Sequence, residues 1–113
     1  MNSIAVLIPA YNEAPSIAQV LKALPSSVTE VVVIENGSTD QTTEIAKTHG
    51  ATVLYEARKG YGYACLKGME YLENNPPELV VFLDGDYSDY PEELDQLVAP
   101  LQKDDVEIGR AHV

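Results

Sequence analysis

Short apolar runs alternate with amphipathic stretches along the chain. Ile4 to Ile8 is continuously apolar and is closed by Pro9 and the polar "AYNE", after which Ile17, Val20, Leu21 and Leu24 recur at helical spacing as far as Pro25. Glu30 to Ile34 is a second, β-branched run. The loop "ENGSTDQT" follows it, with Ser38 or Thr39 placed to cap a helix that carries Ile45 and Ala46 and stops at Gly50. Thr52 to Tyr55 reads as a third strand, "EARKGYG" as a loop, and Ala64 to Leu72 as a helix that Asn74, Asn75, Pro76 and Pro77 bring to an end. Leu79 to Leu83 is the fourth strand. Pro91 then opens a last helix through Leu94, Leu97, Val98 and Leu101, where a first-turn proline is favourable.

Strands that are apolar throughout and alternate with helices predict an α/β fold with a parallel sheet, helices on both faces and right-handed crossovers. Ligands of such sheets lie outside the carboxyl ends of the strands. The loops "PAYNE", "ENGSTD", "EARKGYG" and "DGDYSDYPEE" all fall on that edge, so the site is expected there.

Size and charge narrow the function. With 113 residues the chain is one domain, and its 45% hydrophobic content is that of a globular protein. Eighteen acids against seven Lys and Arg give a formal charge of -11, which excludes a nucleic-acid surface, since phosphate binding needs clustered bases. A small anion remains compatible if amides, a few cations or a divalent metal reverse the field locally. Cys65 is the single cysteine, which fits a reducing, cytoplasmic setting. "MNSIAVLIPAYNE" lacks the basic region and apolar length of a signal peptide, and no stretch of the chain has the length of a membrane span.

Within the loops, Asp84 and Asp86 flank Gly85 at the end of an apolar strand, where alternate residues share a direction. Two ionised acids that close repel unless a cation is shared, and a hard ion such as Mg or Mn on carboxylate and phosphate oxygens resolves the conflict. Gly85 would let a diphosphate approach the backbone. Glu35, Asn36 and Ser38 end the second strand, where an acid can grip a ribose hydroxyl or a base N–H, although capping accounts for Ser38, Thr39 and Asp40 equally well. Arg58, Lys59 and Gly60 precede a helix N-terminus and suit a phosphate. Tyr61 and Tyr63 could line a sugar or lipid site or simply pack. Cys65 reads as a small buried hydrophobe, and His49 as helix-end dipole chemistry. Glu92 and Glu93 read as first-turn acids behind Pro91, with Asp89 open between turn and site.

The set "IPAYNE", "VVVIENGSTDQT", "RKGYGYACLKG" and "VVFLDGDYSDYPEEL", in that order, resembles the donor-binding half of a family 2 glycosyltransferase of the GT-A fold. It looks most like the branch of polyprenyl-phosphate (dolichyl-phosphate) mannosyl- and glucosyltransferases, although Ser88 stands where many mannosyl-phosphate synthases have Gln. The resemblance implies a truncated Rossmann-like GT-A domain over residues 1–107. Pro9, Ala10, Tyr11 and Glu13 would surround the base and ribose, with Glu35 and Asn36 at the family's pair of acids. Asp84 and Asp86 would be the DxD motif that holds Mg or Mn on the diphosphate of a UDP- or GDP-linked sugar. Inverting transfer to an acceptor such as a polyprenyl phosphate is the implied chemistry, with the full-length protein at the inner face of a membrane. The base and acceptor site are expected in the second half of the family's domain, after a strand that ends near "IGSR".

"IGRAHV", from Ile108 to Val113, is also what ATCGGAAGAGCACACGTC encodes, a string that resembles a sequencing-adapter end. Residues 108–113 are therefore expected to be a non-native tail. Two other functions compete with the transferase: a haloacid-dehalogenase-like phosphatase using the acid-x-acid motif, and a nucleotide- or metal-binding module without chemistry.

Overall fold

A computed structural model describes residues 3–83 and 108–110. The strands are β1 (Ile4–Ala10), β2 (Glu30–Glu35), β3 (Thr52–Tyr55), β4 (Leu79–Phe82) and β5 (Ile108–Arg110), and the helices are α1 (Ala14–Ala23), α2 (Thr42–Thr48) and α3 (Tyr61–Leu72). All pairings are parallel, and the sheet order is β3-β2-β1-β4-β5. The helix expected from Pro91 to Leu101 lies outside the described residues. β5, within the segment that the codon reading set apart, pairs with β4 in the register Val80↔Ile108 to Phe82↔Arg110.

Period-two alternation sorts the central strand between two cores. Ile4, Val6, Ile8 and Ala10 pack with Ile17 and Val20 of α1 and Ala46 of α2, whereas Ala5 and Leu7 pack with Ala64 and Leu72 of α3. Burying each large aliphatic side chain fully contributes about 1.5–3 kcal/mol, so a strand apolar on both faces is held from both sides. α3 lies close on its side because Gly68 has no side chain. A Cβ there would stand 2.9 Å from Leu7 Cδ1 and 3.1 Å from Ile34 Cδ1.

β1 is two residues longer than its apolar run, and it includes Pro9. The Leu83 N–H donates to the Leu7 carbonyl, and by alternation Pro9 faces the same β4 side. Lacking an N–H, Pro9 cannot donate the next bond, so among the described residues the β1–β4 ladder breaks there. The β1–β2 ladder continues to Ala10↔Glu35. Strand order reverses at β1, which puts this break at the topological switch point of the sheet.

Two helix starts differ from the sequence expectation. α2 begins at Thr42 behind Gln41, without the expected cap from Ser38 or Thr39. α3 begins at Tyr61, three residues before Ala64, because Gly60 takes φ +121°, a conformation that lets the chain turn directly into the helix.

Candidate functional site

The loops after β1 and β2 are clasped together. Asn12, in the left-handed region at φ 54°, accepts the Thr39 N–H through Oδ1 at 2.8 Å, and its own N–H donates to Ser38 Oγ at 2.8 Å. The Glu13 N–H donates to Thr42 Oγ1 at 2.9 Å, and the Ala14 N–H to Asp40 Oδ2 at 3.1 Å. The first amides of α1 are thus capped from the neighbouring loop, and Asp40 also accepts the Thr42 N–H at 3.0 Å. The Thr42 hydroxyl, with these amides, holds the Asp40 carboxyl below its usual range. Asp40 therefore braces the starts of both α1 and α2, while Ser38 and Thr39 hold the loop ahead of α1 through Asn12.

Glu35 ends β2 almost fully buried, and both of its oxygens accept the N–H groups of Gly37 and Ser38. This turn needs Gly37, whose φ is +94°. Glu35 thereby shapes the loop, while the next residue, Asn36, reaches the cleft.

The loop after β3 is locked onto Asn36. Its Nδ2 donates to the Glu56 carbonyl at 2.8 Å and to the Arg58 carbonyl at 3.0 Å, and Lys59 Nζ returns to the Asn36 carbonyl at 2.7 Å. Since both partners of Nδ2 are carbonyl oxygens, the orientation of the amide is fixed. The Glu56 carboxylate accepts the Arg58 N–H at 2.8 Å, Nε at 2.9 Å and an Nη at 3.1 Å. These bonds with Arg58 lower the Glu56 pKa to about 2. The Arg58 guanidinium also lies 4.5 Å from the centre of the Tyr63 ring, and Lys59 Nζ lies 4.4 Å from that of Tyr11.

These contacts leave a cleft of about 650 Å³ at the carboxyl ends of β1, β2 and β3. Pro9, Ala10, Tyr11 and Glu13 line it from the first loop, Asn36 from the second, and Lys59, Gly60 and Tyr61 from the third. Most sequence candidates from these loops therefore meet in one place. Glu35, Ser38 and Arg58 stand behind it, engaged with loop amides, the Asn12 N–H and Glu56 respectively. Glu56 and Thr42, which organise these loops, were missed by the sequence reading. The Glu-x-Arg spacing of Glu56 and Arg58 is the one signal that points to the former.

Asp84, Gly85 and Asp86 lie outside the described residues. Leu83, immediately before them, is bonded to β1 at this same edge of the sheet. Among the described residues no group of three or more His, Cys, Asp or Glu could hold a metal, and no helix is long and apolar enough to cross a membrane.

Comparison with known proteins adds a family. The model of the family described as "Glycosyl transferase family 2" matches residues 5–112. An uncharacterised glycosyltransferase of Mycobacterium tuberculosis is 38% identical over 102 residues, which is 90% of this chain and 45% of that protein. Glycosyltransferase AglE of Haloferax volcanii is 32% identical over 120 residues, 97% of this chain and 39% of its own. Glucosyl-3-phosphoglycerate synthase from Mycobacterium tuberculosis, in its crystal structure with Mn2+, UDP and glucosyl-3-phosphoglycerate, matches with a TM-score of 0.74 at 29% identity. That match covers 89% of this chain and 40% of the synthase. The chain spans less than half the length of each of these relatives.

Proposed function

The chain belongs to glycosyl transferase family 2, and on that premise we propose that its cleft is the donor site of an inverting glycosyltransferase that takes a nucleoside-diphosphate sugar. The observation that carries this reading is the convergence of Tyr11, Asn36 and Lys59 on one cleft at the carboxyl edge of a parallel sheet.

Each group has a task in that site. Lys59 supplies the ammonium that an otherwise acidic protein needs to attract a diphosphate, and its bond to the Asn36 carbonyl keeps it at the cleft wall. α3 begins at Tyr61 behind Gly60, which has no side chain to cap the first turn, so the positive end of the helix adds to the field around Lys59. Tyr11 is about half exposed with Lys59 near its ring, and its remaining surface suits a planar base. The Asn36 side chain meets a base only as an acceptor, because both of its protons are already donated. A UDP-linked donor is the reading adopted here, since the similar synthase was crystallised with UDP and with UDP-glucose; a GDP-linked one offers the same kind of N–H.

Asp84 and Asp86, as paired hard oxygen donors, suit Mg or Mn, whose charge would offset that of the departing diphosphate. In the transfer itself an acceptor oxygen forms a bond to the anomeric carbon as the bond from that carbon to the diphosphate oxygen breaks, and Lys59 stabilises the charge left on the leaving group. The motif set favours a polyprenyl-phosphate acceptor. The similar synthase binds phosphoglyceric acid, which makes that the second acceptor to try.

The test is incubation of the full chain with UDP-glucose and GDP-mannose, with Mn and with chelator, offering polyprenyl phosphate or phosphoglyceric acid. Metal-dependent formation of a glycosylated acceptor supports the transferase. Release of inorganic phosphate from a phosphomonoester, lost in Asp84→Asn and unaccompanied by nucleotide-sugar binding, would replace it with the phosphatase.

A further inference from the structure

Glu56 is a nine-tenths buried carboxylate that does not line the cleft, yet its contacts lead through Arg58 and its own carbonyl to Asn36, which does. Its side chain takes three bonds from the main chain and guanidinium of Arg58, closing a tight two-residue loop. Closing that loop sets the Glu56 and Arg58 carbonyls side by side, 2.8 and 3.0 Å from Asn36 Nδ2. Asn36 is itself only 8% exposed, so its amide has little freedom to find other partners. Lys59, the next residue, is delivered by the same loop to the Asn36 carbonyl.

We propose that Glu56, acting through Arg58, is a positioning residue that holds the Asn36 amide with its oxygen free, and so makes the cleft select bases that present an N–H over bases that present a lone pair. This rests on the nucleotide-donor reading of the cleft. Uracil carries an imide N–H where cytosine carries an unprotonated ring nitrogen. A fixed acceptor bonds the first and repels the second, whereas an amide free to turn over serves both. A carboxylate would accept by its own chemistry; an asparagine does so only while something else occupies its protons, and here the β3–α3 loop does.

The experiment measures dissociation constants of UDP and CDP with Mn by calorimetry on the full chain, for wild type, Glu56→Ala, Glu56→Asp and Arg58→Ala. Hydrogen exchange of the Asn36 side-chain amide is followed by NMR without nucleotide. Wild type is expected to prefer UDP by about tenfold, the effect of one well-placed hydrogen bond. In Glu56→Ala and Arg58→Ala the ratio falls toward one, chiefly through weaker UDP binding, and the Asn36 amide exchanges faster. Glu56→Asp, which keeps the charge, recovers part of the ratio. Arg58 is half exposed, so its variant reports even if Glu56→Ala fails to fold. A folded variant that retains both the wild-type UDP to CDP ratio and the slow Asn36 exchange overturns the positioning role. A wild type that binds neither nucleotide refutes the donor reading instead, and the exchange measurement still decides whether Glu56 holds the amide.

Discussion

Lys59 reaches back over the edge of the sheet and donates its ammonium to the main-chain carbonyl of Asn36 at 2.7 Å. The contact joins the loops after β2 and β3 and sets a positive charge on the wall of a cleft in a protein of net charge -11. Its removal separates binding from folding. Lys59→Met should weaken UDP by about tenfold, from loss of one charge-assisted hydrogen bond to phosphate, with little change in melting temperature. Calorimetry beside a thermal melt checks this. A large fall in stability with unchanged affinity would make Lys59 a structural residue.

Thr42 is fully buried, and its hydroxyl accepts the Glu13 N–H at the start of α1. Thr42→Val keeps the shape and leaves that donor without its acceptor, at a cost of about 1–3 kcal/mol. Urea denaturation should show the loss. Hydrogen exchange at the Glu13 amide should speed up more than exchange in β1.

Gly68 sets the distance between α3 and the sheet. Gly68→Val forces side-chain carbons toward Leu7 and Ile34, both fully buried, and overpacking of this kind costs about 1–3 kcal/mol. Gly68→Ala should be milder, since the helix propensity of alanine offsets about 1 kcal/mol. Denaturant midpoints in the order wild type, Ala, Val from high to low, or Ala level with wild type, agree with close packing. Val level with wild type does not.

Acid should act through Glu56. Its pKa is depressed from 4.5 to about 2 in the fold by Arg58, so its contribution is fully present above 4.5 and is lost as pH falls toward 2. Asp40, also lowered, adds in the same direction. The stability difference between wild type and Glu56→Gln should therefore shrink across that window and stay level above it. Urea midpoints measured from pH 2 to pH 7 give the comparison, and a difference that persists unchanged at pH 2 would contradict it.

The first four strands and the edge of the sheet that bears the cleft were legible in the sequence because both follow from apolar periodicity and chain order, whereas β5 falls in the segment expected to be a tail. Ile4 to Ile8 and Glu30 to Ile34 could not be read otherwise. The loop network was not legible, for a physical reason. Glu35 and Asn36 are adjacent and both polar, and which one turns inward depends on where Gly37 and Ser38 present their N–H groups, a property of the folded loop. Likewise Arg58 and Lys59 are equivalent as charges in a string. Only the buried Glu56 beside Arg58 distinguishes the one that braces the loop from the one that lines the cleft. Thr42 looked like an ordinary helix residue because the amide it caps belongs to a helix some 30 residues earlier in the chain.

The central claim is that this cleft, with the acids that follow Leu83, binds a nucleoside diphosphate with a metal. Titration of UDP into the full chain, with Mn and with chelator, in wild type and in an Asp84→Ala, Asp86→Ala variant, tests it most directly. The account predicts saturable binding that depends on Mn in wild type and a loss of that dependence in the variant. Equal binding with and without Mn in both proteins, or no binding in either, would contradict it.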